Sequence, residues 1–152
     1  MMIKLLLRDI ALLALTVLLW QLYRPFAGRH DVAAIGMAAL TAFATVVSGF
    51  LAHEWGHLLG ALSRRSTVAL APRLSSVFLF QFDAGRNSRE QFLAMSAGGF
   101  AASIAVVALP LLLLSFDGLA DRIALTLTAL GVAATLVIEV PGAVRVYRGE
   151  PI

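Results

Sequence analysis

Two histidines and a glutamate form the group of residues in this sequence best suited to chemistry. They lie in the pentapeptide His53-Glu54-Trp55-Gly56-His57, which holds two of the chain's three histidines. Residues four apart share one face of a helix, so both imidazoles can bind a single Zn²⁺, and the glutamate beside the first can act as a general base. The pattern predicts a hydrolytic metal site with His53 and His57 as ligands and Glu54 as the catalytic base. The alternative is a pair of hydrogen-bonded helix histidines without a metal.

The composition indicates a protein of the lipid bilayer. The chain has 152 residues, of which 60% are hydrophobic and 14% charged, and several apolar runs are long enough to cross a membrane. We therefore predict an all-α integral membrane protein whose residues 1–152 form a single membrane domain. The absence of cysteine excludes thiolate metal ligands and disulfides, and the net charge of +3 does not favour nucleic acid as a partner.

The apolar runs predict about four transmembrane helices, with a short β-like segment between the second and the third. Their approximate bounds are 3–23, 32–62, 92–116 and 119–140. The first run could instead be a signal peptide, but we find no small-residue cleavage site before Arg24-Pro25 and expect a retained helix. Gly98 and Gly99 in the third run predict close packing against the helix that carries the histidines. We expect Pro141-Gly142 to close the fourth helix.

Residues 63–91 form the one sizeable polar segment, and it is basic. Within it, the apolar run from Val77 to Phe82 is rich in β-forming residues and lies between Pro72 and the turn signal Asp83-Ala84-Gly85. The run predicts either a strand packed on the helices or an edge strand that pairs with an extended peptide. In the second case the candidate substrate-binding residues are Val77, Phe78, Leu79 and Phe80.

The distribution of basic residues predicts the orientation in the membrane. With four spans and the amino terminus inside, nine Lys and Arg residues lie in inside segments and three lie in outside segments. Cytoplasmic segments carry this excess of positive charge. We therefore predict that both termini and residues 63–91 are cytoplasmic.

A third metal ligand must be a carboxylate, because His30 belongs to a polar loop and there is no cysteine. His53 and His57 lie roughly 9 to 15 Å from the cytoplasmic end of their helix. On the predicted topology Glu139 reaches a similar depth, so we expect one Zn²⁺ per chain bound by His53, His57 and Glu139. Asp83 and Asp117 are the fallback ligands. Glu139 could instead pair with Arg145 or Arg148.

The residues resemble the site-2 protease family, the zinc metalloproteases that cut within membranes. The resemblance lies in the His-Glu-x-x-His motif on a membrane helix, in the four-helix layout over nearly the whole chain, and in the small-residue stretch from Ser96 to Ser103. It implies a zinc endopeptidase that cleaves in or near a transmembrane segment of a membrane-protein substrate. We expect a minimal membrane core without a regulatory domain.

This chain departs from the pattern of that family at two places. The stretch from Ser96 to Ser103 has Gly99 at the proline of the family's third-helix motif Ala-Gly-Pro-x-Ala-Asn, and it has no asparagine, with Ser103 as the polar residue that follows. The family's third ligand is an aspartate in an Asn-Pro…Asp-Gly context. This sequence instead has Phe116-Asp117-Gly118 and Glu139-Val140-Pro141-Gly142.

Two other functions remain open at the level of sequence. One is a catalytically silent membrane scaffold or regulator that binds partner helices through the same groove. The other is a metal transporter or sensor that uses the histidine pair. The transporter hypothesis is weaker, because transport does not require a general-base glutamate beside a ligand and no second polar stripe crosses the predicted helices.

Overall fold

The chain is mostly helical, with four helices and a small two-stranded sheet between the second and third helices. The computed structural model describes residues 1–152. In chain order the elements are α1 (Met2–Tyr23), a 3-10 turn (Arg24–Phe26), α2 (Val32–Ser63), β1 (Val68–Leu70), β2 (Phe80–Phe82), α3 (Arg89–Leu113) and α4 (Leu119–Tyr147).

Three of the helices, α2, α3 and α4, are long and apolar enough to cross a membrane by length and composition. Their outer faces expose large apolar side chains, among them Phe43, Ile104 and Val137, which indicates association with a membrane. Helix α1 has 22 residues but is not among those three helices. That α1 also spans the membrane stays a prediction.

Helix α2 lies at the centre of the bundle and contacts each of the other three helices. Its approach to α3 is close because glycines face each other across the interface. A Cβ added to Gly56 would lie 2.5 Å from the backbone oxygen of Gly98, and one added to Gly60 would overlap the backbone of Ala94. Small residues at these positions allow the two backbones to touch.

Polar contacts join α1 to its neighbours along the length of the bundle. The Trp20 indole donates to the Thr45 hydroxyl at 3.0 Å, and the hydroxyls of Thr16 and Ser48 lie 2.9 Å apart. At the end of α1, the backbone N–H of Ala120 donates to the Tyr23 hydroxyl at 3.3 Å. In an apolar medium such hydrogen bonds satisfy groups that water cannot reach.

Both ends of the chain lie at the same end of the bundle. The guanidinium of Arg8, near the start of α1, donates to carbonyl groups in the connection after β1. The guanidinium carbon of Arg89, at the start of α3, lies 5.8 Å from the ring centroid of Tyr147 at the end of α4. The bundle end that holds both termini therefore also holds the sheet, and its assignment to the cytoplasm stays a prediction.

The ends of the helices follow local signals. The Asp31 carboxylate caps α2 by accepting from the Ala34 N–H at 3.0 Å. Ser88 and Gln91 form a capping box, so α3 begins at Arg89, three residues before the predicted start. Helix α4 continues to Tyr147, so the predicted end at Pro141-Gly142 is wrong. Proline removes a single backbone donor, and the helix on either side of it can persist.

The strand in the connection is shorter than the predicted run from Val77 to Phe82. Strand β2 covers only Phe80–Phe82, and it pairs antiparallel with β1, with Leu70 opposite Phe80. Two further backbone bonds extend the pairing, from Ala71 N–H to the Leu79 carbonyl at 2.8 Å and from Asp83 N–H to the Thr67 carbonyl at 3.4 Å. The N–H of Leu79 turns away from β1 and donates to the Glu54 carboxylate instead.

Candidate metal centre

Three side chains from two helices converge at the centre of the bundle. On α2, His53 and His57 are one helical turn apart and their Nε2 atoms lie 3.0 Å from each other. From α4, Glu139 places Oε1 3.3 Å from His53 Nε2 and Oε2 3.1 Å from His57 Nε2. The possible ligand atoms of the three residues all lie within 4.8 Å of one another, so the group could hold a metal ion.

Helix α3 orients both imidazole rings through their other nitrogen. His57 Nδ1 lies 3.0 Å from the carbonyl oxygen of Met95. His53 Nδ1 lies 2.9 Å from the Ser103 hydroxyl and 3.2 Å from the carbonyl oxygen of Gly99. A carbonyl oxygen only accepts hydrogen bonds, so each Nδ1 carries a proton and donates it. In the neutral tautomer with this proton, each Nε2 directs a lone pair at the centre, which is the arrangement that metal-binding histidines have.

Gly99 has no side chain, and the His57 ring occupies the space where a side chain would lie. A Cβ added to Gly99 would overlap that ring. Close approach of α3 at this position therefore requires a glycine, and the same residue supplies one of the acceptors for His53. Position 99 thus acts on both histidines, through its lack of a side chain and through its carbonyl oxygen.

Glu54 is buried next to the histidines, and the connection between the strands holds its carboxylate. The backbone N–H of Leu79 donates to Glu54 Oε2 at 3.2 Å, which leaves Oε1 available to other partners. Leu79 itself is fully buried, in a small core with Leu5 of α1 and Ala71. The position of the Glu54 carboxylate is therefore set by contacts outside its own helix.

An open cleft leads to the three converging residues. Its volume is about 330 Å³, and Glu54, His57 and Glu139 form its polar wall. Aromatic side chains form much of the remaining wall; they are Phe78, Phe80, Phe82 and Phe92. The Glu139 side chain is 34% exposed, whereas both histidines are buried, so solvent reaches the group from the side of Glu139.

The four candidate substrate-binding residues have different surroundings. Val77 and Phe78 are exposed, and Phe78 and Phe80 line the cleft. Leu79 has no exposed surface, so its assignment to substrate binding is wrong. Its side chain belongs to the core with Leu5, and its backbone N–H is already bonded to Glu54.

The two fallback carboxylates lie outside the metal-binding group. Asp83 accepts from the Gly85 N–H at 3.1 Å and pairs with Arg86, so it stabilises a turn. Asp117 is exposed in the connection between α3 and α4. The carboxylate of Glu139 pairs with the two histidines and makes an ion pair with neither Arg145 nor Arg148.

A hydrogen-bond network that sequence reasoning missed connects α1 to the histidine helix. Arg8 Nε donates to Asp9 Oδ1 at 2.6 Å, and the Trp55 indole donates to Asp9 Oδ2 at 2.8 Å. Arg8 Nη1 also donates to the carbonyl groups of Leu74 and Ser76, at 2.6 and 3.0 Å. The charges of Arg8 and Asp9 inside an apolar run were a signal, because such groups are buried only with partners.

We expect Arg8→Ala to loosen the segment that positions Glu54. Each hydrogen bond from a charged group contributes about 1.5–3 kcal/mol, so amide hydrogen exchange in residues 74–79 should accelerate by about 10- to 100-fold. Mass spectrometry of the exchanged protein in detergent measures this. Arg86→Ala is the matched control, because the Arg86 side chain is 75% exposed and pairs only with an exposed carboxylate in the same connection. Equal exchange in the two variants would contradict the assignment of Arg8.

Known proteins add nothing to the geometric description of this site. No family model, curated protein or solved structure matches this chain. The resemblance to site-2 proteases therefore depends on the sequence features given above, chiefly the motif from His53 to His57 in an apolar helix.

Proposed function

We propose that the chain is an intramembrane zinc metalloendopeptidase that hydrolyses a peptide bond in or near a transmembrane segment of a membrane-protein substrate. The observation that carries the proposal is the convergence of His53, His57 and Glu139. With both Nδ1 atoms protonated, two imidazole lone pairs and a carboxylate face one another within 3.0–3.3 Å. Three acceptors at this distance repel unless a proton or a metal cation lies between them, and a metal ion satisfies all three at once.

The donor set and its spacing support zinc as that cation. Two ligands about 2.0–2.1 Å from a tetrahedral Zn²⁺ are about 3.3–3.4 Å apart, close to the separations between the nitrogen and oxygen atoms of this group. Two imidazoles and one carboxylate are also the protein ligands of a well-known class of catalytic zinc site, in which the fourth position stays open. In this chain the open cleft beside Glu139 lies next to the group.

The residues around the metal-binding group have separate roles in hydrolysis. When bound, Zn²⁺ polarises a carbonyl oxygen and lowers the pKa of water toward neutrality. Glu54, with Oε1 free, accepts a proton from the attacking water as the new C–O bond forms. The same carboxyl group then gives the proton to the amide nitrogen as the C–N bond breaks. Leu79 holds the other oxygen throughout, so the carboxylate keeps one orientation.

The cleft supports an extended peptide as the substrate. A peptide in a helix hides its carbonyl groups, so a transmembrane segment must unwind locally before it is cut. Strand β2 has β1 on one edge only, and its other edge is unpaired. Phe80 of β2 and the neighbouring Phe78 line the cleft and can contact an unwound segment.

The depth of the site supports cleavage inside the membrane. His57 lies six residues before the end of α2 at Ser63, roughly 9 Å along the helix. Nine of the chain's twelve Lys and Arg residues lie in the segments at this end of the bundle. By the positive-inside rule this end faces the cytoplasm, and both termini lie there.

A liposome assay with defined reporter substrates tests the proposal. The reporters are tagged single-span helices of alanine and leucine with five randomised central residues, and mass spectrometry locates each cut. We expect cleavage that 1,10-phenanthroline abolishes and that added Zn²⁺ restores, whereas Mg²⁺ does not. If the folded protein retains zinc and binds the reporters without cutting any of them, the result would contradict the protease and favour the catalytically silent scaffold.

A further inference from the structure

A second, smaller cavity lies on the opposite side of His53 from the open cleft. We name it the inner cavity. Its volume is about 130 Å³, and its walls are mainly apolar, with Val46, Phe50 and Val106 among them. His53 and Ser103 form part of the same lining. The inner cavity therefore touches one of the three residues of the candidate metal centre.

The positions of the lining residues along the helices show where the inner cavity lies. On α2, Val46 and Phe50 precede His53, whereas the open cleft is lined by residues from Glu54 onward. On α4, the cavity is lined by residues 127–135 and the cleft by residues 138–142. The inner cavity is thus displaced along the bundle axis, away from the end that holds both termini. An extended peptide at the metal centre would have the cleft on one side and the inner cavity on the other.

One polar side chain in the wall of the inner cavity has no partner. Thr128 is only 5% exposed, and its Oγ1 makes no hydrogen bond. A buried hydroxyl without a partner costs about 1–3 kcal/mol. An unsatisfied hydroxyl in the wall of an unfilled cavity is typical of a binding pocket without its ligand.

We infer that the inner cavity is the pocket for the side chain of a substrate residue that flanks the cleaved bond. The inference rests on the proposed function. A cavity of about 150 Å³ holds benzene, so 130 Å³ accepts an aliphatic side chain as large as that of leucine and excludes indole. The apolar walls exclude charged side chains, and the Thr128 hydroxyl offers a hydrogen bond to the hydroxyl of a substrate threonine.

A glycine at the edge of the inner cavity allows a test that leaves the backbone undisturbed. A Cβ added to Gly131, which lines the cavity, meets no atom within 4 Å. Gly131→Leu should therefore fold and occupy part of the cavity. With the randomised reporters, we expect cleavage beside leucine to fall at least 10-fold relative to cleavage beside alanine, a typical effect of changing the volume of an apolar pocket. Gly36→Leu is the control, since Gly36 is equally open and lines no cavity near the metal centre.

Thr128→Val tests the chemistry of the pocket at constant shape. We expect this variant to lose a several-fold preference for threonine over valine beside the cut while its zinc content stays unchanged. Unaltered residue preferences in both Gly131→Leu and Thr128→Val, with cleavage intact, would overturn the inference and leave the proposed function in place.

Crosslinking separates the two proposals when there is no cleavage. Reporters that carry photo-leucine in the central segment are irradiated with the Glu54→Gln variant, and crosslinked residues are identified by mass spectrometry. We expect crosslinks to the wall of the inner cavity, at Val106 or Leu127, that Gly131→Leu abolishes. Crosslinks there without cleavage by the wild type would support the pocket and contradict the protease. Their absence would overturn the pocket.

Discussion

Glu54→Gln should abolish cleavage of the reporter substrates without loss of zinc. The amide cannot accept the proton of the attacking water, and general acid–base catalysis contributes about 10²- to 10⁴-fold to rates of this kind. The amide can still accept from the Leu79 N–H that bonds to Glu54 Oε2, and it has nearly the same volume, so the fold should persist. We therefore expect a fall in kcat of at least 100-fold, measured in liposomes, at unchanged zinc stoichiometry.

Glu90→Gln is the matched control for this prediction. Glu90 is an exposed glutamate in the first turn of α3, at the same end of the bundle, and it lies outside the metal-binding group. The same substitution there should leave cleavage unchanged. Cleavage by Glu54→Gln at the rate of the wild type would show that another group moves the proton.

Glu139→Ala should remove zinc from the protein. Loss of a residue that hydrogen-bonds a metal ligand typically weakens metal binding by about 10- to 100-fold. Loss of a ligand itself should weaken metal binding by more than about 100-fold. Without the Glu139 carboxylate, only His53 and His57 remain of the three proposed ligands. Elemental analysis of the purified protein should show close to one zinc per chain for the wild type and almost none for Glu139→Ala, and cleavage should be lost with it.

Asp83→Ala and Asp117→Ala provide the controls for Glu139. Both remove a carboxylate, and neither aspartate belongs to the group with the two histidines. We expect both variants to retain zinc. Loss of zinc in Asp117→Ala with retention in Glu139→Ala would contradict the arrangement of α4 against α2. Loss in none of the three variants would assign the metal to another site.

Sequence patterns were sufficient for the elements whose signals are local. Four long apolar runs predicted four helices at nearly the observed bounds, because a backbone in an apolar environment must satisfy its hydrogen bonds within the segment. The His53–His57 spacing likewise placed two imidazoles on one face of α2, since helical geometry alone determines it. Local signals failed at Pro141, where α4 continues, and at Val77, which precedes the strand.

The apolar runs, the helical spacing and the depth in the membrane were enough to predict the helices, the histidine pair and Glu139 as its partner, whereas the contacts that orient these residues depend on tertiary packing. The packing of α4 on α2 brings Glu139 to both histidines, and that of α3 brings Ser103 to His53. The fold of the connection turns Leu79 inward to hold Glu54. These partners lie 25 to 86 residues apart in the chain, and no periodicity within one segment encodes a contact over such a separation. The docking of α3 on α2 through close contact between small residues such as Gly56 and Gly98 places Ser103 beside His53, and the packing of α4 and of the connection places the other partners.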